Sequence, residues 1–159
     1  MDSSELRLPT KKSQALLVYL ASPPGVARSR DQLAELLWSR SAEEQARTSL
    51  RQNLARLRKS LGSAKDIISA DTSQITLVPD RVDTDTAMLE GLLSQPDIDS
   101  LKAAANLLRG EFAAGLNINE DLFEEWITTE RRRISDLAVS ALERLLHHYE
   151  ELEDSDEAI

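Results

Sequence analysis

The 159-residue chain lacks cysteine and has only two histidines and five glycines. Without cysteine it can form neither a disulfide nor a thiolate metal site. The two histidines, His147 and His148, are adjacent, and neighbouring positions on a helix point ~100° apart, so the pair cannot chelate one metal ion. The glycines never cluster, which excludes a glycine-rich phosphate-binding loop. No arrangement of Ser, His and Asp stands out either, so we expect no catalytic residue, no metal and no cofactor.

Long apolar runs are also missing. No run approaches the ~20 residues that a membrane span needs, and the N-terminus lacks the charged-then-apolar pattern of a signal peptide. Hydrophobic residues make up 41% and charged residues 30% of the chain, which is typical of a soluble globular protein. We therefore expect a cytoplasmic protein that neither spans nor binds a membrane.

Charge is distributed unevenly along the chain, whose formal net charge is −9. Residues 1–65 contain 12 Lys and Arg against 6 Asp and Glu, whereas residues 66–159 contain 7 against 22. A basic first part and an acidic second part suggest two modules with different partners. A polyanion would be attracted to the first part and repelled by the second.

Residues 41–62 predict a helix with two different faces, its helical part being about 43–61. At ~100° per residue, five apolar side chains fall within an arc of about 80°: Ala46, Leu50, Leu54, Leu57 and Leu61. The remaining surface carries long cations, an amide, a hydroxyl and a methyl: Arg47, Thr48, Arg51, Gln52, Ala55, Arg56, Arg58 and Lys59. Such side chains neutralise phosphates and read base edges in a DNA major groove. No acidic residue lies between Arg47 and Lys59 to neutralise them within the helix.

Two shorter helices are predicted before this one. Thr10 suits the N-cap of a helix over KKSQALLVYLAS. Ser29 with Gln32 resembles a capping box at the start of SRDQLAELLW. Ser41 with Glu44 repeats the same pattern at the start of the cationic helix.

A β-hairpin is predicted after the cationic helix. Residues 67–69 and 74–78 are short β-rich runs around a turn made by residues 71–73, and Pro79 stops the second strand. Residues 5–8 predict one further short strand. Three helices followed by a hairpin is the element order of a winged helix-turn-helix, in which the helix before the hairpin enters the groove.

Position along the cationic helix separates two kinds of expected DNA contact. The N-terminal and outer residues are base-edge candidates: Arg47, Thr48, Arg51, Gln52 and Ala55. The later cations are candidates for phosphate contacts: Arg56, Arg58 and Lys59. Arg can bond guanine in a bidentate manner, Gln can do so with adenine, and an Ala methyl can touch thymine. Which residue contacts which base does not follow from the sequence.

Four further cations are candidates for phosphate contacts: Lys11, Lys12, Arg28 and Arg30. Arg28 and Arg30 flank the start of the second predicted helix, where free backbone N–H groups also favour an anion. For each of the four, ordinary surface charge remains the alternative.

From Thr84 the pattern is helical to the end, and we place a domain boundary between residues 1–82 and 83–159. Helices are predicted over 85–93, 97–108 and 121 to about 152. The main apolar positions of the last helix are Phe123, Trp126, Ile127, Ile134, Leu137, Leu142 and Leu145. Residues 131–133 are a run of three arginines near several acidic residues, for which we expect local pairing along the helix.

These residues in this order resemble the SARP-type bacterial transcriptional activators, which carry an OmpR/PhoB-like winged helix followed by a bacterial transcriptional activator domain (BTAD). LPTKKSQALLVYLA at 8–21 resembles the first helix of that family. SRDQLAELLW and EEQARTSLRQNLARLRKSLG within 29–62 resemble its second helix and its recognition helix. FEEWITTERRRI at 123–134, preceded by LLRGEFAAGL at 107–116, resembles the BTAD signature.

The resemblance implies a mainly α fold: a winged helix-turn-helix with a small hairpin, then the start of an all-α module like tetratricopeptide repeats (TPR). The family usually begins with a sheet of several strands, and its BTAD usually contains more helix pairs. Against that pattern the chain is expected to be truncated at both ends, as a fragment or short form of a larger regulator.

The resulting functional hypothesis is a sequence-specific regulator of transcription that binds double-stranded DNA and is not an enzyme. The resemblance implies that the helical part serves regulation or activation. Candidate further partners are RNA polymerase, another regulatory protein, or a second copy of the chain on repeated DNA sites. The alternative is a helical-repeat protein-interaction module with a degenerate winged helix that does not bind DNA.

Overall fold

A computed structural model describes residues 5–157. The chain divides into two compact units. The first contains the residues up to Asp83 together with Gly115–Ile127, and the second contains Thr84–Ala114 and the residues from Thr128 onward. In the described part of the chain, no helix combines the length and apolar character needed to cross a bilayer.

The first unit begins with helix α1, Lys11–Leu20. As predicted, Thr10 is its N-cap, and the Thr10 hydroxyl accepts a hydrogen bond of 3.0 Å from the backbone N–H of Ser13. The residues before it were expected to form a strand over 5–8, and that prediction is wrong. Leu6 is 44% exposed, so no buried side chain holds this short segment against a sheet.

Helix α2, Arg30–Leu37, is capped as predicted by the Ser29 side chain, which accepts from the N–H of Gln32 at 3.0 Å. Helix α3, Glu43–Leu61, is the predicted cationic helix. Its N-cap is Ala42, which has no side-chain bond. The predicted cap at Ser41 is therefore wrong, because the helix begins one residue too late for that hydroxyl to serve as its N-cap.

The core of the first unit lies where the three helices meet a small sheet. The α3 stripe is buried as predicted, from Ala46 to Leu61, and Leu16 and Leu20 of α1 and Leu33 of α2 are buried too. Helix α3 contacts both of these helices. Burying this stripe leaves the cationic face of α3 outward, since the two faces lie on opposite sides of the helix.

The sheet has three antiparallel strands in the order β1-β3-β2. Strands β2 (Ile68–Ala70) and β3 (Gln74–Leu77) form the predicted hairpin, with Ile68 opposite Leu77. Strand β1, Arg28–Ser29, pairs with the other edge of β3 and was not predicted, because two residues leave no periodic signal. This arrangement joins the start of α2 to the hairpin.

The chain returns to the first unit at residues 115–127. Leu116, Phe123 and Ile127 are buried there, and so is the carboxylate-bearing residue Glu120. The predicted boundary after residue 82 stays a prediction about domains, because membership of a compact unit does not test whether a segment folds independently.

The second unit is all helical. It contains α4 (Asp85–Leu93), α5 (Ile98–Leu107) and most of α6 (Asp121–Glu157), whose first residues belong to the first unit. Leu89, Ala104 and Ile134 form its buried cluster, with one residue from each helix. Leu142, one of the main apolar positions of the last predicted helix, is 56% exposed; the helix pair α4 and α5 covers a different side of α6.

Local pairing accounts for part of the arginine run at 131–133. The Arg133 guanidinium pairs with Glu130 and Glu90, and these acids raise the pKa of Arg133. The Arg131 guanidinium donates to the carbonyl oxygens of Phe112 and Ala113 at 3.1 and 2.9 Å. Both arginines therefore hold the second unit together.

Candidate nucleic-acid interface

Helix α3 carries its eight predicted contact residues on the side away from the core. Arg47, Arg51, Gln52, Ala55, Arg56 and Lys59 are exposed, whereas Thr48 and Arg58 are half-buried. The structure thus brings the predicted α3 set together on one helix face. The hydrogen bonds of the individual side chains then separate cations that are free from cations that are engaged.

Arg47 is engaged in two ion pairs. Its Nε lies 2.9 Å from the Asp31 carboxylate of α2, and its Nη2 lies 2.8 Å from the Glu43 carboxylate one turn earlier. All three side chains are more than half exposed, and exposed ion pairs contribute at most ~1 kcal/mol. A phosphate or a base edge could therefore compete for this guanidinium.

Arg58 has a structural contact. Its Nη2 donates a 3.0 Å hydrogen bond to the carbonyl oxygen of Ile68 at the start of β2. This bond ties the C-terminal turns of α3 to the hairpin. Gly62 then ends the helix with a φ of 56°, a left-handed conformation that glycine adopts without a steric penalty.

Arg51, Arg56 and Lys59 are the exposed cations of α3 that have no hydrogen bond or ion pair with any residue in 5–157. Their charges are neutralised only by solvent and counterions. Charge-assisted hydrogen bonds to phosphate oxygens are among the stronger polar contacts, so these three side chains are the best-placed cations on the helix for a polyanion.

The turn of the hairpin, residues 71–74, is held in one conformation. The Asp71 carboxylate accepts from the backbone N–H groups of Ser73 and Gln74 at 2.7 and 2.8 Å. Those bonds, with the Ser73 hydroxyl, lower the pKa of the Asp71 carboxyl. Arg30 donates two hydrogen bonds of 2.8 Å to the turn. Its backbone N–H donates to the backbone carbonyl oxygen of Ser73, and its Nε donates to the backbone carbonyl oxygen of Asp71.

An open groove of about 520 Å³ separates α3 from this turn. Arg47 and Arg51 line it from α3, and Thr72–Gln74 line it from the hairpin. Arg30 is hydrogen-bonded to the turn. The groove therefore presents the Arg51 guanidinium beside the hydroxyl and amide groups of residues 72–74. Such a set can donate to and accept from a nucleic-acid backbone.

Buried polar groups fix α3 against α1. Asn53, 5% exposed, lies within 3.4 Å of both the Ser13 hydroxyl and the Thr10 hydroxyl. The Thr10 and Ser13 hydroxyls are themselves 3.0 Å apart. Buried amides that find partners in this way specify one packing arrangement, and here the arrangement sets the rotation of α3 about its axis.

The four secondary candidates have different surroundings. Lys11 is exposed and has no partner among the described residues. The Lys12 ammonium lies 2.7 Å from the Glu120 carboxylate and 5.0 Å from the centre of the Trp38 ring. The Arg28 guanidinium lies 4.7 Å from the centre of the Tyr19 ring and donates to the Ser22 oxygen. Lys12, Arg28 and Arg30 are thus engaged within the first unit.

Glu120 binds two elements of the first unit at once. Besides Lys12, its carboxylate accepts from the Ser39 backbone N–H at 3.0 Å and the Ser39 hydroxyl at 2.7 Å. Burial raises the pKa of Glu120, but these donors and the Lys12 charge lower it by more, so its pKa lies below the usual value. The Ser39 backbone belongs to the loop between α2 and α3.

Sequence reasoning missed two acids that affect this surface, Asp31 and Glu120. Asp31 is 16 residues from Arg47 and Glu120 is 108 residues from Lys12, and neither spacing follows a helical or strand period. The composition identified neither acid, because Asp31 lies in the net-basic first part and Glu120 is one of 22 acidic residues in the second part.

Three helices, a three-stranded sheet and an outward cationic face on α3 define a winged helix-turn-helix, an architecture that binds DNA. The family model for the C-terminal domain of transcriptional regulatory proteins, the OmpR/PhoB-type winged helix DNA-binding domain, matches residues 4–74. This part of the chain is therefore of the DNA-binding transcriptional regulator kind, and that family is not one of enzymes. No curated protein and no solved structure matches the chain.

Proposed function

We propose that the protein is a sequence-specific regulator of transcription whose α3 lies in the major groove of double-stranded DNA. The single observation that carries this proposal is the outward face of α3, where Arg51, Arg56 and Lys59 have no partner within residues 5–157, inside a winged helix-turn-helix. An isolated cationic surface helix would support only non-specific attraction to polyanions.

The side chains divide by position on α3. Thr48, Arg51, Gln52 and Ala55 lie in the N-terminal and central turns and contact base edges. Arg47 joins them when DNA displaces Asp31 and Glu43. Arg56, Lys59 and, from α1, Lys11 contact phosphates. Each good bidentate pair with a base discriminates by about 1–3 kcal/mol.

The engaged cations take a supporting role in this proposal. Arg58 and Arg30 hold α3 and the hairpin turn in place, and Lys12 and Arg28 stabilise the packing of the first unit. The turn itself is polar but has no basic residue, so its contribution to DNA binding is modest.

The second unit serves regulation or activation through a protein partner, such as RNA polymerase or another regulator. This part of the proposal rests on the resemblance of residues 107–134 to the BTAD of SARP-type activators and on the all-helical second unit. Binding as a homodimer on repeated sites and a cytoplasmic location belong to the same proposal.

Gel-shift titration of the full chain against promoter DNA at several salt concentrations tests the proposal. About four to six phosphate contacts predict a slope of roughly −4 to −5 when log affinity is plotted against log salt concentration. A scrambled duplex of equal composition is the control for specificity. A flat slope, or no binding at low salt, would favour the alternative of a degenerate winged helix that acts in protein interaction.

A further inference from the structure

Helix α6 has an apolar stripe that is open to solvent in the second unit. Val139, Leu142, Leu146 and Tyr149 are 51%, 56%, 60% and 47% exposed. At ~100° per residue they fall within an arc of about 80°, which points away from the side on which Ala141 is buried. We call these four residues the α6 stripe. Contiguous exposed apolar residues of this kind mark interaction sites.

The spacing of the α6 stripe is that of a helix that packs on another helix. Its members are three, four and three residues apart, which matches positions a, d, a and d of a heptad. In that heptad, Leu145 and Leu152 occupy g positions and extend the apolar surface on that flank of the α6 stripe. The α6 stripe therefore fits one additional helix laid along about two heptads.

The other flank of the α6 stripe is acidic. Asp136, Glu143 and Glu150 occupy successive e positions of the heptad and are all exposed. None of the three has a hydrogen bond or ion pair with another residue in the described part of the chain. Charges at e and g positions decide which partner a coiled-coil helix accepts.

These acids disfavour a second copy of the chain as the occupant. In an antiparallel pair, Glu143 would face its own copy and Asp136 would face Glu150. In a parallel pair, the acidic turns containing Glu150, Glu151 and Glu153 would lie side by side. Like charges in such positions are destabilising, whereas a cationic flank on the partner would form ion pairs at every e position.

We propose that the α6 stripe docks an amphipathic helix of another protein, whose apolar seam lies on the stripe and whose lysines or arginines face Asp136, Glu143 and Glu150. One helix along two heptads buries less than a standard interface of about 1,600 Å². We therefore expect weak, reversible binding, with a Kd on the order of 10–100 µM.

The first experiment offers synthetic peptides of about three heptads to the full chain and measures fluorescence anisotropy. The probe peptide has leucine at a and d and lysine along one flank. One control has glutamate in place of lysine, and a second contains the residues of the probe in shuffled order. Only the probe should bind, and salt should weaken its binding. Equal binding of the shuffled peptide would show mere attraction to an acidic protein and overturn the proposal.

Substitutions on α6 then test the site. Leu142→Gln with Leu146→Gln should weaken probe binding by about tenfold or more, the loss expected for central interface residues. Met88→Gln, at a 50% exposed apolar residue of α4, is the matched control and should change nothing. The circular dichroism spectrum and the unfolding temperature report whether each variant stays folded.

A charge exchange keeps the proposal testable even if the apolar variants fail to fold. Glu143→Lys with Glu150→Lys should reverse the preference, so that the glutamate peptide binds and the lysine peptide does not. An unchanged preference would show that the acidic flank does not determine which peptide binds.

Sedimentation equilibrium tests whether a second copy of the chain occupies the α6 stripe instead. Dimers of the wild-type chain that are absent in the Leu142 and Leu146 variants would assign the stripe to a second copy. No step uses DNA, so this inference and the proposed function can fail separately.

Discussion

Arg51 and Lys59 lie on the same outward face of α3 but at different distances along it. They are eight residues apart, about 12 Å along the helix axis. Arg51 borders the groove beside the hairpin turn, whereas Lys59 lies in the last turns of the helix. A guanidinium presents a planar fork that fits the acceptors of guanine, while an ammonium acts as a point charge on phosphate. In the proposed complex with DNA, we therefore expect the two residues to make different contributions to specificity.

Arg51→Ala should reduce affinity for the preferred DNA site by about 1–3 kcal/mol and narrow its advantage over a scrambled duplex. Lys59→Ala should weaken both duplexes alike and reduce the salt slope by about 1. Gel-shift titrations of both duplexes at several salt concentrations measure these quantities. Arg132→Ala, at an exposed arginine of the second unit, is the control. Equal losses for Arg51→Ala and Lys59→Ala on both duplexes would contradict the division of roles.

Glu120 binds the segment 115–127 to two other elements of the first unit. Its carboxylate accepts from Lys12 of α1 and from Ser39 in the loop before α3. If this carboxylate is removed, its donors on Lys12 and Ser39 lose their charged acceptor, which costs about 1–3 kcal/mol. This residue therefore supports α3 without touching it.

Glu120→Gln should lower the free energy of unfolding at neutral pH by about 1–3 kcal/mol. Because the folded-state pKa of Glu120 lies below its unfolded value, its contribution is present above about pH 5. It is lost as the pH falls below about 4 and through the folded-state pKa. Chemical denaturation at several pH values measures both effects. Glu35→Gln, at an exposed glutamate of α2 in the same unit, provides the comparison. A difference between wild type and Glu120→Gln that persists unchanged at pH 3 would argue against a charge effect.

At the scale of elements, hydrogen bonds join the hairpin to the start of α2. Strand β1 pairs with β3, and Arg30 donates from both its backbone and its side chain to the hairpin turn. The Asp71 carboxylate closes the same turn. These bonds therefore hold the hairpin side of the groove beside α3 in one conformation.

Asp71→Ala should release this turn without unfolding the protein. We expect faster amide hydrogen exchange at Ser73 and Gln74, which lose their acceptor, and at Arg30, whose acceptor lies in the turn. Affinity for all duplexes should fall slightly, because the contacts proposed for the turn are with the DNA backbone and not with bases. Asp80→Ala, at an exposed acid outside the hairpin, is the control. Unchanged exchange at Ser73 would mean that other contacts hold the turn.

The local patterns of the sequence were sufficient to predict the principal elements. The caps at Thr10 and Ser29, the buried stripe of α3 and the hairpin all depend on neighbours within one or two turns, so a single segment encodes them. The strand predicted at residues 5–8 fails for the converse reason: a strand needs a partner, and four residues do not specify one.

Which cations are free and which form ion pairs could not be predicted from such local patterns. In the sequence, Arg47 and Lys12 look like free surface charges. The Asp31 partner of Arg47 and the Glu120 partner of Lys12 come from other elements of the chain, whereas the Glu43 partner of Arg47 lies one turn earlier on α3. The exposed position of Leu142 has a similar origin, because the side of α6 that α4 and α5 cover depends on how three helices pack. Tertiary partners decide these features, and no periodicity records them.

At the scale of the whole molecule, we expect the opposite charges of the two parts to act on DNA over different ranges. In the proposed complex, the cations of α3 act by contact, whereas the exposed acids of the second unit act through their field. The Debye length is about 30 Å at 0.01 M salt and about 8 Å at 0.15 M. Repulsion of DNA by the acidic part should therefore be felt at low salt and be screened at physiological salt.

Combining Asp136→Asn, Glu143→Gln and Glu150→Gln tests this field, because it changes the formal net charge from −9 to −6 without altering the first unit. We expect DNA affinity to rise about twofold to threefold at 0.01 M salt and to be unchanged at 0.15 M. The rise should be equal for the preferred and the scrambled duplex, since a field does not read bases. Leu142→Gln, an uncharged change on the same helix, should have no effect in the gel shift. A rise that persists at 0.15 M would instead place these acids in direct contact with DNA.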